Sequence, residues 1–191
     1  RVFRVEEKDV TKEMRRRAKV INFGIIYGMG VNALRANLGS SREEAALFYE
    51  NYFVTFPKIK NYFDNVVSEA TTKGYTETFF GRRRQFPGLK SKVPFIRASA
   101  ERMAMNAPLQ GTAADIVKLA MIKVDKVIAE SPLKNSAFLL LQIHDELMYE
   151  VKTEDLDQAI SIIKPAMESI ITDPIPFTVT AKKGLNWAEL K

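Results

Sequence analysis

The feature that most constrains the fold is a change of period after Pro132. Before it, up to about Ile128, apolar residues recur at helical spacing, and glycine or proline interrupts them at Gly28, Gly39, Pro57 and Gly74. After it the apolar residues run together. Phe138-Leu139-Leu140-Leu141-Gln142-Ile143 and Leu147-Met148-Tyr149-Glu150-Val151 stand either side of His144-Asp145-Glu146. Short apolar runs that flank a polar turn are strand signals, and both are too short to be stable helices. Helices first and a hairpin afterwards predict segregated elements, an α+β fold.

The punctuation predicts the elements. A helix spans about Asp9 to Tyr27, with Asp9 or Thr11 as N-cap and Gly28-Met29-Gly30 as its end. A short helix through Leu34 and Leu38 stops at Gly39. Ser41-Arg42-Glu43-Glu44 is a capping box opening a helix with Ala45, Phe48, Tyr49 and Tyr52 on its apolar face. Pro57 breaks that helix, and another runs from Lys58 to Thr72 before Gly74. Tyr75 to Phe80 leads into Gly81-Arg82-Arg83-Arg84 as a small hairpin or extended arm. A long helical pattern covers Val93 to Ile128 and is expected to be interrupted at Pro108 and Gly111. The chain closes with a hairpin over 138–151, a helix over 154–171 carrying Leu156, Ile160, Ile163 and Met167, and a strand over 176–182.

Charge narrows the partners. The 191 residues carry a formal net charge of +6, which favours a polyanion. Through Arg102 there are 20 Lys and Arg against 11 Asp and Glu; beyond it there are 9 against 12, and every arginine lies in the first part. Arginine's planar fork suits phosphate, although a basic solvated surface would have the same composition. No uncharged apolar run is long enough to span a bilayer, so no membrane association is expected. The opening residues lack a signal-peptide core and begin with Arg, which fits a portion of a longer polypeptide. With no cysteine, thiolate metal sites are excluded.

Three groups of residues could carry chemistry. Arg15, Lys19, Phe23 and Tyr27 recur every fourth position and form a slowly rotating stripe, cations first and rings last. That stripe matches a nucleoside triphosphate, yet the same spacing suits an amphipathic helix with core rings and snorkelling cations. Val20, Ile21, Ile25 and Ile26 lie on other faces and could supply the core contact instead. His144-Asp145-Glu146 would project a carboxylate beyond a sheet, where it could meet Mg²⁺ or simply water. Asn106 and Gln110 share a helix face. Their amides could donate to minor-groove acceptors common to all base pairs, or cap a kink at Pro108.

The stretch RRRAKVINFGIIYG resembles the fingers-helix signature of family A DNA polymerases. LLLQIHDELMYEV and ERMAMNAPLQGTAADIVKLAM are similar to two further signatures of that family, in family order. The resemblance implies a partial right-hand fold: a helical fingers subdomain over 1–105 and the distal half of an antiparallel-sheet palm over 106–191. It implies that Arg15 and Lys19 hold the triphosphate of the incoming deoxynucleotide, Phe23 packs on its sugar and base, and Tyr27 guards the templating pocket. Asp145 becomes a Mg²⁺ ligand, Glu146 a weaker carboxylate, and Lys19 a catalytic cation. Arg82, Arg102, Asn106, Gln110, Gln142 and His144 become contacts to primer-template DNA.

The family's two-metal chemistry needs a second carboxylate, from an Asp-Tyr-Ser-x-x-Glu strand that precedes the fingers. This sequence contains no match to it. The chain alone is therefore expected not to polymerise DNA, and its sheet to lack a central strand that an N-terminal polymerase portion would supply. The alternative is a non-catalytic nucleotide- or nucleic-acid-binding module on the same fold. A bacterial cytoplasm at the nucleoid, or an organelle matrix, is the expected location, and secretion is not.

Overall fold

The computed structural model describes residues 5–172 and 176–190. The chain divides into two compact units, Arg1–Gln110 and Gly111–Lys191.

In the first unit, α1 (Lys12–Ile26) starts where the Thr11 hydroxyl accepts a hydrogen bond from the Met14 amide. It ends in a Schellman arrangement. The Met29 amide donates to the Gly24 carbonyl at 2.8 Å and the Gly28 amide to the Ile25 carbonyl at 3.0 Å. Gly28 takes the left-handed conformation that this ending needs, with φ +77°. Helix α2 (Val31–Leu38) stops at Gly39, also left-handed. Helix α3 (Arg42–Thr55) opens with both halves of the Ser41–Glu44 capping box in place. Pro57 is the first residue of α4 (Pro57–Lys73), where its missing N–H costs nothing.

These four helices share an aromatic-rich core. Ile21, Ile25, Leu34, Ala45 and Tyr52 are buried, with Phe48, Tyr49, Phe53 and Phe56 packed against them. Burying Ile21 and Ile25 of α1 stabilises the unit by about 2 kcal/mol each. Val20, an expected core residue, is instead exposed. Ile21 and Ile25 lie one turn apart and already fill the seam.

The strands β1 (Tyr75–Glu77) and β2 (Arg83–Gln85) pair antiparallel. Helix α5 (Pro94–Ala129) then runs unbroken through Pro108, so the expected interruption at Pro108 and Gly111 does not occur. Pro108 removes one backbone donor, but buried Ala100, Ala104 and Ala107 keep the preceding turns in a second core with Ala70, Phe86 and Leu89.

The second unit contains the rest of α5, the antiparallel pair β3 (Ala137–Ile143) and β4 (Glu146–Val151), and α6 (Leu156–Glu168). Its core joins Val124, Ile128, Leu133, Ala137, Ala159 and Ala166. Register slips between Leu139, paired with Tyr149, and Leu141, paired with Met148, so Leu140 is an extra residue. Such a bulge reverses the facing of everything beyond it. Gln142, paired with Leu147, therefore shares a face with Leu139, Tyr149 and Val151.

The expected strand over 176–182 does not form. A strand needs a neighbour to take its backbone groups. The Val179 amide goes instead to the Glu168 carboxylate, at 2.8 Å. The helix expected over 154–171 is shorter, because Thr153–Asp155 is a 3₁₀ turn and regular α structure ends at Glu168.

Gly28 gives a stability test. A Cβ there would lie 3.0 Å from the Arg102 Cγ, whereas at left-handed Gly39 it would meet nothing within 4 Å. Gly39→Ala should cost only the backbone penalty, about 1–2 kcal/mol. Gly28→Ala should cost more, because the Arg102 stem must also move. Denaturant midpoints of the two variants compare them directly, and equal shifts would mean that the Arg102 contact is without weight.

Candidate functional site

The α1 stripe presents a single chemical face. Arg15, Lys19 and Phe23 line a concavity of about 440 Å³ together with Ala18, Asn22 and Ile26. Phe23 and Tyr27 are 48% and 50% exposed, while Ile21 and Ile25 are each 1% exposed. The core reading of the rings therefore fails in this unit. The two rings stack at 6.3 Å between centroids with a 16° interplanar angle, and the Lys19 Nζ lies 5.9 Å from the Phe23 centroid.

Glu13 sorts the neighbouring cations. Its carboxylate accepts from Arg16 Nε at 2.9 Å and from Arg17 Nε at 3.0 Å. Among the described residues, Arg15 and Lys19 have no ion pair. Two cations are thus neutralised locally and two remain available to an anion. Sequence reasoning passed over Asn22. It lines the same concavity, and its Oδ1 is buried without a hydrogen-bond partner. Its spacing of seven from Arg15 was the available signal.

The Glu13 cluster makes a pH prediction. Hydrogen bonds from Arg16, then Arg17, hold the Glu13 carboxyl down at about 2, against an ordinary 4.5. A folded-state value below the unfolded one means that the stabilisation is full above about pH 4.5 and is lost as pH falls toward 2. The cluster is solvent-exposed, so salt should screen it. An NMR titration should find the depressed value at low salt, and its return toward normal in the Arg16→Gln/Arg17→Gln double variant.

Arg102 is exposed on α5, with its stem against Gly28. Asn106, one turn on, is buried at 7% exposure and donates from Nδ2 to the Arg102 carbonyl at 2.9 Å. Its Oδ1 has no partner. Gln110 is exposed. The expected pair is thus split: one amide is turned inward and the other faces solvent. Arg82 lies at the end of the β1–β2 turn, where its amide donates to the Thr78 hydroxyl at 3.1 Å.

In the second unit, His144 and Asp145 form the two-residue turn between Ile143 and Glu146, which pair across it. His144 has φ +54°, the only non-glycine with positive φ among the described residues. That conformation costs a β-substituted residue about 1–2 kcal/mol, and the turn carries it. The Gln142 Nε2 donates to the His144 carbonyl at 3.1 Å, fixing the turn from below. His144, Asp145 and Glu146 are all exposed. Burial, followed by the Asp125 charge, pushes the Tyr149 hydroxyl up to about 12, so it stays protonated on the core side. Asp145 offers hard oxygens of the kind Mg²⁺ prefers. Among the described residues, however, no three His, Cys, Asp or Glu side chains converge as a metal site.

In chain order, a basic helical unit carries the cation-and-ring stripe and the hairpin after it carries an acidic tip. Residues 1–189 match DNA polymerase family A, and the chain belongs to that family. It is 46% identical over 190 residues to DNA polymerase I of Caldicellulosiruptor bescii, covering 100% of this chain and 22% of that protein. It is 45% identical to DNA polymerase I of Geobacillus stearothermophilus, with the same coverage. Among solved structures it superposes, with a TM-score of 0.95 and 39% identity, on the POL domain of Pol1 from M. smegmatis in complex with DNA primer-template and dNTP. That match covers 100% of this chain and 33% of the other. The chain thus spans about a fifth of the length of the curated relatives it matches.

Proposed function

We propose that this chain supplies the fingers (1–105) and the distal palm (106–191) of a template-directed DNA polymerase that adds deoxynucleotides to a primer 3′-OH. The observation that carries this reading is the α1 face, on which two unpaired cations and two stacked, half-exposed rings share one side of a helix. Arg15 and Lys19 bind the triphosphate, Phe23 lies along sugar and base, and Tyr27 closes the templating end. Lys19 neutralises phosphate charge as it builds up in the transition state. Arg102, Gln110 and Gln142 contact primer-template DNA, Arg82 its backbone, and His144 the primer end. Asn106 supports this row from within by holding the Arg102 backbone.

Asp145 is the chain's ligand for Mg²⁺, which family A polymerases generally use, and Glu146 stands beside it. Bound there, Mg²⁺ supplies Lewis-acid neutralisation of phosphate charge. The second carboxylate comes from an N-terminal polymerase portion, either in the same gene product or in a partner chain. That portion also covers β3, where Phe138, Leu139, Leu140 and Leu141 are all exposed.

The test is extension of a primed template by the chain alone and by the chain joined to that portion. Extension only by the joined protein is expected. Extension by the chain alone would remove the need for a second carboxylate. Nucleotide binding without extension by either would favour the alternative, a non-catalytic binding module on this fold.

A further inference from the structure

We propose that the tip of the β1–β2 hairpin is a stacking platform for single-stranded nucleic acid. The proposal rests on the polymerase reading, in which the strand would be template extending beyond the primer. The tip is rigid. The Thr78 amide donates to the Arg82 carbonyl at 2.9 Å, the Gly81 amide to the Thr78 carbonyl at 2.9 Å, and the Arg82 amide to the Thr78 hydroxyl at 3.1 Å. Gly81 supplies the left-handed corner, with φ +82°. On this loop Phe79 is 72% exposed and Phe80 39%. The rings meet edge to face at 5.3 Å and 82°.

The surroundings say what would cover them. Residues 78–92 hold five Lys and Arg and no Asp or Glu, so the charge favours a phosphate backbone over an acid-poor apolar protein surface. Two of the arginines are already ordered. Arg83 lies over the Tyr75 ring at 4.6 Å with its Nε 3.3 Å from the Glu77 carboxylate, and Arg84 lies over Phe86 at 5.2 Å. Aromatic rings beside ordered guanidinium groups form the footprint of single-strand binding. Bases inside a duplex are already stacked on each other. An open base face exists only where a strand is unpaired or ends. Stacking of this kind makes no hydrogen bond to a base edge, so it tolerates any template sequence.

The experiment uses the full polymerase that contains this chain. Its affinity is measured, at fixed salt, for primer-template with a 5′ template overhang and for the blunt duplex of equal length. Phe79→Ala should weaken overhang binding by about 5- to 100-fold and leave blunt binding unchanged. Phe79→Trp should preserve affinity, and its added fluorescence should be quenched by the overhang and not by the blunt duplex. Equal loss on both DNAs, a lowered Tm without overhang dependence, or no quenching would overturn the proposal; the Tm result would identify the rings as a seat for another part of the protein. Failure here while Lys19→Ala still impairs nucleotide addition would leave the polymerase reading intact. A silent Lys19→Ala and a silent Asp145→Ala would remove that reading, and this proposal with it.

Discussion

Asp145→Ala in the full polymerase is expected to lower kcat by about 10³-fold or more while leaving stability and DNA affinity nearly unchanged. The argument begins with the turn. A two-residue connection between β3 and β4 puts His144 and Asp145 beyond the last paired residues, Ile143 and Glu146. His144 takes a positive φ to make that connection. The Asp145 side chain is exposed, so its removal opens no cavity and strands no partner. Surface changes of that kind shift stability by about 0.5 kcal/mol or less. Loss of a carboxylate that anchors a divalent cation removes several kcal/mol of transition-state stabilisation, and about 1.4 kcal/mol corresponds to tenfold in rate. Asp145→Asn, which keeps the shape and loses the charge, should fail almost as badly. Glu146→Gln should lose less. Single-turnover rates at saturating nucleotide measure this, and a near-parental rate in Asp145→Ala would exclude Asp145 from the chemistry.

Lys19→Ala should reduce kcat/KM for the incoming nucleotide by about 10²- to 10³-fold, the usual cost of removing one donor aimed at developing negative charge. The structure adds a contrast that the sequence lacks. The four cations Arg15, Arg16, Arg17 and Lys19 fall within five positions, but Glu13 engages Arg16 and Arg17. Arg15 and Lys19 line the concavity and the other two do not. Arg16→Ala should therefore change kcat/KM far less than Lys19→Ala. Lys19→Arg should recover part of the loss, since it restores charge without the compact ammonium. Pre-steady-state incorporation by the three variants decides the matter, and equal losses in Arg16→Ala and Lys19→Ala would mean general electrostatic attraction rather than a placed cation.

Much of the fold was legible because its signals are local. Thr11 and Ser41 are N-caps whose hydroxyls meet amides three residues on, and Gly28, Gly39 and Gly74 are helix ends with positive φ. Each depends on a few neighbouring residues and needs no knowledge of distant packing. The β3–β4 hairpin was legible for the same reason, since its loop is two residues long. The failures involve distant groups. Pro108 breaks a helix by local rules, but α5 continues because alanines around it pack on Phe86 and Leu89. Residues 176–182 have strand composition, but among the described residues no strand pairs with them.

The candidate site divides in the same way. Period alone put Arg15, Lys19, Phe23 and Tyr27 on one stripe, because helix geometry is the same wherever a helix forms. Whether those rings were core or surface was open until Ile21 and Ile25 were seen to fill the seam. The register of β3 depended on an extra residue at Leu140, and a one-residue slip turns Gln142 from one face of the sheet to the other. Asn106 and Gln110 share a face by spacing, but only packing distinguishes the buried amide from the exposed one. The sequence by itself thus determined which segments are helix or hairpin, where they end, and which family the chain resembles. The tertiary structure decided which side chains are spent on the core or on each other and which remain for a ligand, because burial and pairing depend on residues far apart in the chain.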